Sequence, residues 1–471
     1  MYHNRRTFLT LAAAAAAVRP AIASAQSGPS FRPEDFGARG DGATNDSAAF
    51  AALAAAVNRA GGGTIIFAKG QTYLVGAQAR GGGPYLLNPA PLLELRDLTR
   101  PLDIVGNGAR MKCRPGLRYG AFLRTGAPNA RNVPNFAVEE VATPYRAMID
   151  IRGCRAPITL RDLELDGNDA GLILGGRFGD EGKQIPATGL FLFDNHATET
   201  ISNLYSHHHG QDGIMIDGDD RRPMRSSFSR VRCTYNGRQG VSIIGGRGYD
   251  FADCDFSHTG RAAVRSSPAA GVDIEAEGTK IVRDLRFTRC TFAHNDGCGM
   301  LAEAGDGADA SFADCRFIGS VTWSAWARKP GLSFTGCTFV GSVVSPYPDA
   351  RNPARAAQFR DCLFTDVPIE PGGRVFVGGG PIVNMAESDN VLFDGCRFEL
   401  QREGTLPWGW RATYRDYTMR QRSSAVGYPK GRYLGTSSIV GSVDLYGSKV
   451  EGVLTVNGKP FARGLHGGKP W

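Results

Sequence analysis

The stretch Phe287-Thr288-Arg289-Cys290-Thr291-Phe292 is one of six copies of the pattern F-x-x-C-x-F in the second half of the chain. The others are centred on Cys254, Cys315, Cys337, Cys362 and Cys396, so successive cysteines lie 36, 25, 22, 25 and 34 residues apart. A period of 22–25 residues with occasional insertions marks a solenoid whose coils stack on one another. Phe and Cys both suit a close-packed interior. Cys290 and Phe292 share one strand face because side chains alternate, whereas Phe287, at odd spacing, joins them only if the chain bends between.

The sequence around these copies favours strands over helices. There are 62 glycines in 471 residues, and after residue 60 runs of Leu, Ala, Glu and Lys are few while short apolar alternations are common. The expectation is an all-β chain, a single-stranded right-handed parallel β-helix, forming one solenoid over residues 34–456. Residues 26–33 read as a flexible lead and residues 457–471 as a tail. The ten cysteines recur at equivalent positions of stacked coils, with side chains parallel at roughly 4.8 Å. They are therefore expected as free, buried thiols filling space rather than as disulfides, and no C-x-x-C or H-x-x-x-H spacing among them suggests a metal.

Residues 1–25 read as an export signal. Arg5-Arg6 precedes the apolar run Leu11 to Val18, and Ala23-Ser24-Ala25 offers a cleavage site before Gln26. Paired arginines before a short apolar core indicate the twin-arginine machinery as a partner and the periplasm or cell exterior of a bacterium as the destination. The run is too short to span a membrane, so no membrane insertion is expected after cleavage. Net charge is +8 for the whole chain; without Arg5, Arg6 and Arg19 it is about +5, with no basic run of the kind nucleic acid requires.

Near the start of the mature chain stands Asp35-Phe36-Gly37-Ala38-Arg39-Gly40-Asp41-Gly42-Ala43-Thr44-Asn45-Asp46, followed by the Ala-rich stretch Ser47 to Ala60 and a glycine triplet. Asn45 or Asp46 is placed to cap a helix that ends before Gly61. This stretch resembles the N-terminal signature of the rhamnogalacturonase/polygalacturonase-like, or pectate-lyase-like, β-helix superfamily. The resemblance implies a pectin-lyase-like solenoid with an N-terminal capping α-helix over one open end, and a polysaccharide or oligosaccharide as substrate. It says little about activity, because hydrolases, lyases, epimerases and phage tail spikes share it, and Asp35, Asp41 and Asp46 are read as structural. Of the polygalacturonase motifs only a D-D match occurs, at Asp219-Asp220; N-T-D, G-H-G and R-I-K are absent from the sequence.

A second repeat runs in step with the first. Five segments begin at Gly189, Gly213, Gly240, Gly271 and Gly299, and the first and third residues after each glycine are apolar. Those face the core, so the second, fourth and sixth face outward on one parallel sheet. Carboxylates collect there: Asp217 and Asp219 on one coil, Asp273, Glu275 and Glu277 on another, Glu303 on the next. Asp217, Glu275 and Glu303 are expected in one column, the last two roughly 4.8 Å apart and the first two roughly 9.6 Å apart. Crowded acids raise one another's pKa, which supplies a proton donor beside an ionised partner.

Asp273 and Glu275 are assigned as acid and base, and Asp217 as a second carboxylate or water positioner. Arg238 is the expected substrate clamp, Arg265 a further cation, and Trp326 a sugar-stacking surface, with Arg328 outward beside Glu303. His208 is a candidate acid or base at the sheet edge and His258 a weaker one. His209 aligns with Asn236 and Asn295 as a stacked hydrogen-bonding ladder. No metal or cofactor is predicted; the acidic strand suits Ca²⁺ in its oxygen ligands, but no complete cage is spelled out. The chemistry expected is glycoside hydrolysis. Arg238, Arg265 and His208 keep a polysaccharide lyase or uronate epimerase open, and the shared N-terminal signature keeps a non-catalytic glycan-binding or structural β-helix open.

Overall fold

The computed structural model describes residues 28–81, 86–129, 141–176, 184–222, 224–341, 343–369, 380–385 and 388–467. The expected signal at 1–25 and most of the loops around 81–84 and 128–134 lie outside the described residues. One coil shows the plan of the rest. Ala270–Ile274 lies in a front sheet, Ile281–Thr288 in a second sheet and Thr291–Ala293 in a third. The next coil opens with Cys298–Ala302, which pairs in parallel with Ala270–Ile274. Coil after coil repeats this path, so the whole chain is a parallel β-helix with its core inside the three sheets.

The bend that the odd Phe spacing demands is present in all six copies. Asp253, Arg289, Asp314, Gly336, Asp361 and Gly395 stand just before the six cysteines, and each has φ between 52° and 64°. This left-handed turn costs least for Gly and little for Asp, the types found at five of the six. It swings the chain from the second sheet into the third, so both phenylalanines of each copy point inward. Phe251, Phe287, Phe312 and Phe334 stack with ring centroids 4.8 Å apart, about one strand spacing. Each thiol bonds back to the previous coil: Cys290 Sγ donates to the Phe251 carbonyl at 3.5 Å and Cys337 Sγ to the Phe312 carbonyl at 3.4 Å. All ten cysteines are free and buried.

The helix Ser47–Ala60 closes the N-terminal end, burying Phe50, Leu53 and Val57. Phe50 packs on Phe67 and Tyr73 at 5.7 and 5.5 Å, and Gly61 (φ 73°) ends the helix. The signature acids hold backbone. Asp46 accepts from the Arg39 and Gly40 N–H groups at 2.8 and 3.1 Å, and Asp41 accepts from the N–H groups of Ala43 and Thr44. Those two bonds pull the Asp41 carboxyl down to about 2.

Both ends are more ordered than the sequence suggests. Ser30–Phe31, in the expected lead, pairs with Gly63–Ile66. In the expected tail, Lys459–Phe461 and Gly464–Leu465 fold back antiparallel onto the last coil. The turn at Asn457-Gly458, both with positive φ, makes that return and covers the open sheet edge. The early coils also carry a separate five-stranded sheet built from residues 78–80, 87–89, 118–121, 141–142 and 173–174.

Removing one ring from the Phe column leaves a cavity with no means of collapse. Phe312→Ala is expected to cost ~3–5 kcal/mol, read as a lower denaturant midpoint, while the neighbouring Ser311→Ala changes it little.

Candidate active site on the front sheet

The front sheet confirms the register on which the acidic face depends. Met215 pairs with Ser242, Ser242 with Asp273, Asp273 with Leu301 and Leu301 with Trp326. The alternating residues Ile214, Val241, Val272 and Met300 are fully buried in the core. Toward the N-terminus the same outward column continues through Phe191 to Asp150 and Glu94, two acids the repeat reading missed because their coils lack the initial glycine. Arg152 bonds Asp150 and Arg96 pairs with Glu94.

One register expectation fails. Asp217 pairs with Gly245, not Ile244, because Gln239–Ala252 carries a bulge at this point. Ile244 turns its apolar side chain into cover, and the column expected to link Asp217, Glu275 and Glu303 is broken. Asp217 is buried and forms an ion pair with Lys280, a residue the sequence reading overlooked. A turn through Gly278 (φ 61°) returns Lys280 toward Asp217, and its ammonium also lies 5.1 Å from the centre of the Phe193 ring.

Burial divides the remaining acids. Asp273 is outward in register but only 2% exposed, and Gln239 Nε2 donates to its Oδ2 at 2.5 Å. It is held in a network and does not face solvent as an acid catalyst must. Glu275 is half-buried, while Glu277 and Glu303 are exposed. Their strand ends at Ile274, and the Glu275 and Glu277 N–H groups bond the consecutive carbonyls of Ile243 and Ile244, which frees the side chains. The Glu277 carboxyl is held above the ordinary range by partial loss of hydration and then by the charge of Glu275, opposed by Arg238.

Near this pair lies Asp212, an acid that was not among the expected site residues. It is fully buried, and among the described residues neither of its carboxylate oxygens has a hydrogen-bond partner. Burial pushes it up to about 7, opposed by Arg238, whose Nη1 stands 4.0 Å from Oδ2. Arg238 is itself buried and also reaches Gln239 Oε1 at 3.5 Å. The expected substrate clamp is thus a cation set between Asp212 and the acids above it.

The other expected site residues divide in the same way. Trp326 lies in a groove of about 350 Å³ with Trp323, Leu301, Glu303 and Arg265. The two indoles meet edge-on at 4.2 Å. Arg265 is paired with Asp296, and Arg328, which follows Ala327 on the strand paired with Cys298–Ala302, donates to the Pro346 carbonyl at 2.8 Å. Asp219 falls beyond the strand and is held by His196 Nδ1 at 2.9 Å. His208 and His258 stand at the corner that leads into the front sheet, stacked in one column with Tyr235 between them at 5.2 and 4.7 Å. The ladder read from His209, Asn236 and Asn295 is present: Asn236 Oδ1 accepts the His209 N–H, and Asn295 Oδ1 accepts the Thr259 N–H.

Beyond the groove the outward face turns aromatic. Trp326 pairs with Ser345, Val344 bridges to Val383, Asn384 pairs with Trp408 and Trp408 with Tyr428. Trp408 and Trp410 are 56% and 47% exposed, unusual for indoles and characteristic of binding surfaces.

The family described as a right-handed β-helix region matches residues 149–342. The A-module of the mannuronan C-5 epimerase AlgE6 from Azotobacter vinelandii superposes with a TM-score of 0.52 at 16% identity, over 91% of this chain and 98% of that one. The chain is a right-handed parallel β-helix. Other similar structures are an N-terminal fragment of gene product 12 from bacteriophage phi29 (TM-score 0.49, 13% identity, 92% of this chain and 73% of that one) and an exopolygalacturonase from Thermotoga maritima (TM-score 0.33, 12% identity, 92% and 93%). At these identities the likeness is one of fold. No curated protein matches the sequence.

The buried Asp212 makes a stability prediction with a definite sign. Its folded pKa lies above the unfolded one, so the folded state binds the extra proton and loses stability as pH rises from about 4 to about 7. Asp212→Asn removes that loss. Its melting temperature is expected to match the wild type near pH 4 and to exceed it at pH 8, where its unfolding free energy is larger by an amount on the order of 2–4 kcal/mol, read by scanning calorimetry at both pH values.

Proposed function

We propose that this protein is an exported polysaccharide-active enzyme, a glycoside hydrolase that works on the front sheet with Glu277 as proton donor and Glu275 as the second carboxyl. One observation carries the reading: two solvent-reaching carboxyls, two residues apart, differ in environment, and Glu277 is held protonated to higher pH than an ordinary carboxyl. Glycosidic cleavage uses two carboxyls, one protonating the leaving oxygen while the other stabilises the developing cation or activates water. Glu303 stands on the next coil, in the groove with Trp326. Asp273, Gln239 and Arg238 act behind the pair as a positioning network.

The sign of the face favours a neutral glycan over a polyuronate. Asp212, Asp217, Asp273, Glu275, Glu277 and Glu303 gather there, while Lys280 is paired with Asp217, Arg265 with Asp296, and Arg238 sits beside Asp212. Elimination or epimerisation of a uronate needs a free cation to neutralise the substrate carboxylate, and these three cations are already beside carboxylates. The length of the surface favours a polymer, because Trp326 and Trp408 are three coils apart in one column, roughly 14 Å.

Incubation with a panel of neutral and acidic polysaccharides, with products weighed by mass spectrometry, tests this. Fragments heavier by one water from a neutral glycan are expected. Glu277→Gln and Glu275→Gln are each expected to lower product formation at least ~100-fold while retaining the polymer in affinity electrophoresis. Trp408→Ala is expected to weaken that retention ~5- to 10-fold with short oligosaccharides cleaved as before. Fragments carrying a new double bond indicate a lyase, and retention without any product indicates a binding protein. The export proposal rests on the sequence of residues 1–25, and its test is the N-terminal residue of the protein recovered outside the cytoplasm, expected to be Gln26.

A further inference from the structure

We propose that Asp166, His207 and His208 form a binding site for a divalent late transition metal, Zn²⁺ foremost, at the corner between the third sheet and the front sheet. Stacking in register creates it. Asp166 ends the strand Ile158–Asp166, His207 ends Glu199–His207, and the two are direct partners in adjacent coils. His208 follows at the corner with φ 55°. The ligand atoms of all three lie within 4.8 Å of one another.

The details around the three residues are those of a built site. His207 Nε2 faces Glu164 Oε1 at 3.0 Å, so the N–H sits there and the lone pair is at Nδ1, the arrangement by which a carboxylate orients a metal-binding imidazole. That Nδ1 lies 2.6 Å from His208 Nδ1 and 3.9 Å from Asp166 Oδ1. Two imidazole nitrogens so placed share either a proton or a cation. Both rings are fixed by stacking, His207 on Tyr205 at 4.0 Å and His208 on Tyr235 at 5.2 Å. Asp166 and His207 are each 7% exposed, while His208 is half-buried, which leaves a side open for water as a further ligand.

Imidazole donors select Zn²⁺, Co²⁺ or Ni²⁺ over Ca²⁺ and Mg²⁺. The neighbouring charges temper the affinity. Lys112 Nζ is 3.6 Å from Asp166 Oδ2, Arg110 Nε is 2.8 Å from Glu164 Oε1, and the Asn168 N–H bonds Asp166 Oδ1 at 2.9 Å. Lys112 is therefore the residue that opposes a cation.

Titration calorimetry of the full chain with Zn²⁺, and absorption spectroscopy with Co²⁺, test the site without reference to any enzymatic activity. One Zn²⁺ per chain is expected, with visible ligand-field bands for Co²⁺. His207→Gln and His208→Asn, the latter keeping a residue that tolerates positive φ, are each expected to weaken binding at least 100-fold with the circular dichroism spectrum unchanged. Lys112→Met is expected to tighten binding, by removing a charge that touches no metal. Absence of stoichiometric binding overturns the proposal, as does affinity that none of the three substitutions changes. In either case the two rings share a proton only.

Discussion

The structure depends on the exact superposition of successive coils at one corner. At each of six turns a phenylalanine ends one strand, a residue with positive φ bends the chain, and a cysteine and a second phenylalanine begin the next. Rings stack at the strand spacing, and each thiol bonds the carbonyl of the coil before it. A shift of one residue in any coil would turn a phenylalanine outward, so the corner imposes register on the two sheets it joins and, through them, on the front sheet. Loops lengthen a coil from 22 to 36 residues between cysteines without disturbing it.

That register concentrates charge on the front sheet and ring nitrogens at the corner that leads into it. On the front sheet, acids from different coils share a face because its strands pair in parallel and largely in register, whatever the length of the loop that leads into each. Their environments then differ with depth. Asp212 and Asp273 are buried within polar networks, while Glu277 and Glu303 reach solvent. That difference in hydration, and not residue type alone, separates the acids open to a substrate from those held inside the sheet.

Much of the fold was legible in the sequence because it follows from strict rules. The Phe-Cys period announced the coils, the odd spacing announced the bend, and side-chain alternation sorted Ile214, Val241 and Val272 from their outward neighbours. The site was less legible. The bulge that displaces Asp217 adds a single residue within Gln239–Ala252, and no local signal marks it. Lys280 reaches Asp217 from 63 residues away. Asp212 stands just before the strand glycine Gly213, outside the outward positions counted from it, and only the packing around it shows that its carboxyl is shut off from water. Asp273 was placed on the correct face, but alternation gives direction and not depth. Asp166 and His207 are 41 positions apart in sequence, and their proximity follows from a pairing that only the completed register defines.

The central claim is that the front sheet holds a glycan along the helix axis, across Glu275, Glu277 and the tryptophans. A crystal structure of the Glu275→Gln protein with a bound neutral oligosaccharide addresses it most directly. The account predicts sugar rings spanning successive coils, one against Trp326 and a glycosidic oxygen within hydrogen-bond reach of Glu277. A saccharide seated on another sheet, or crossing the coils without approaching either glutamate position, would contradict it.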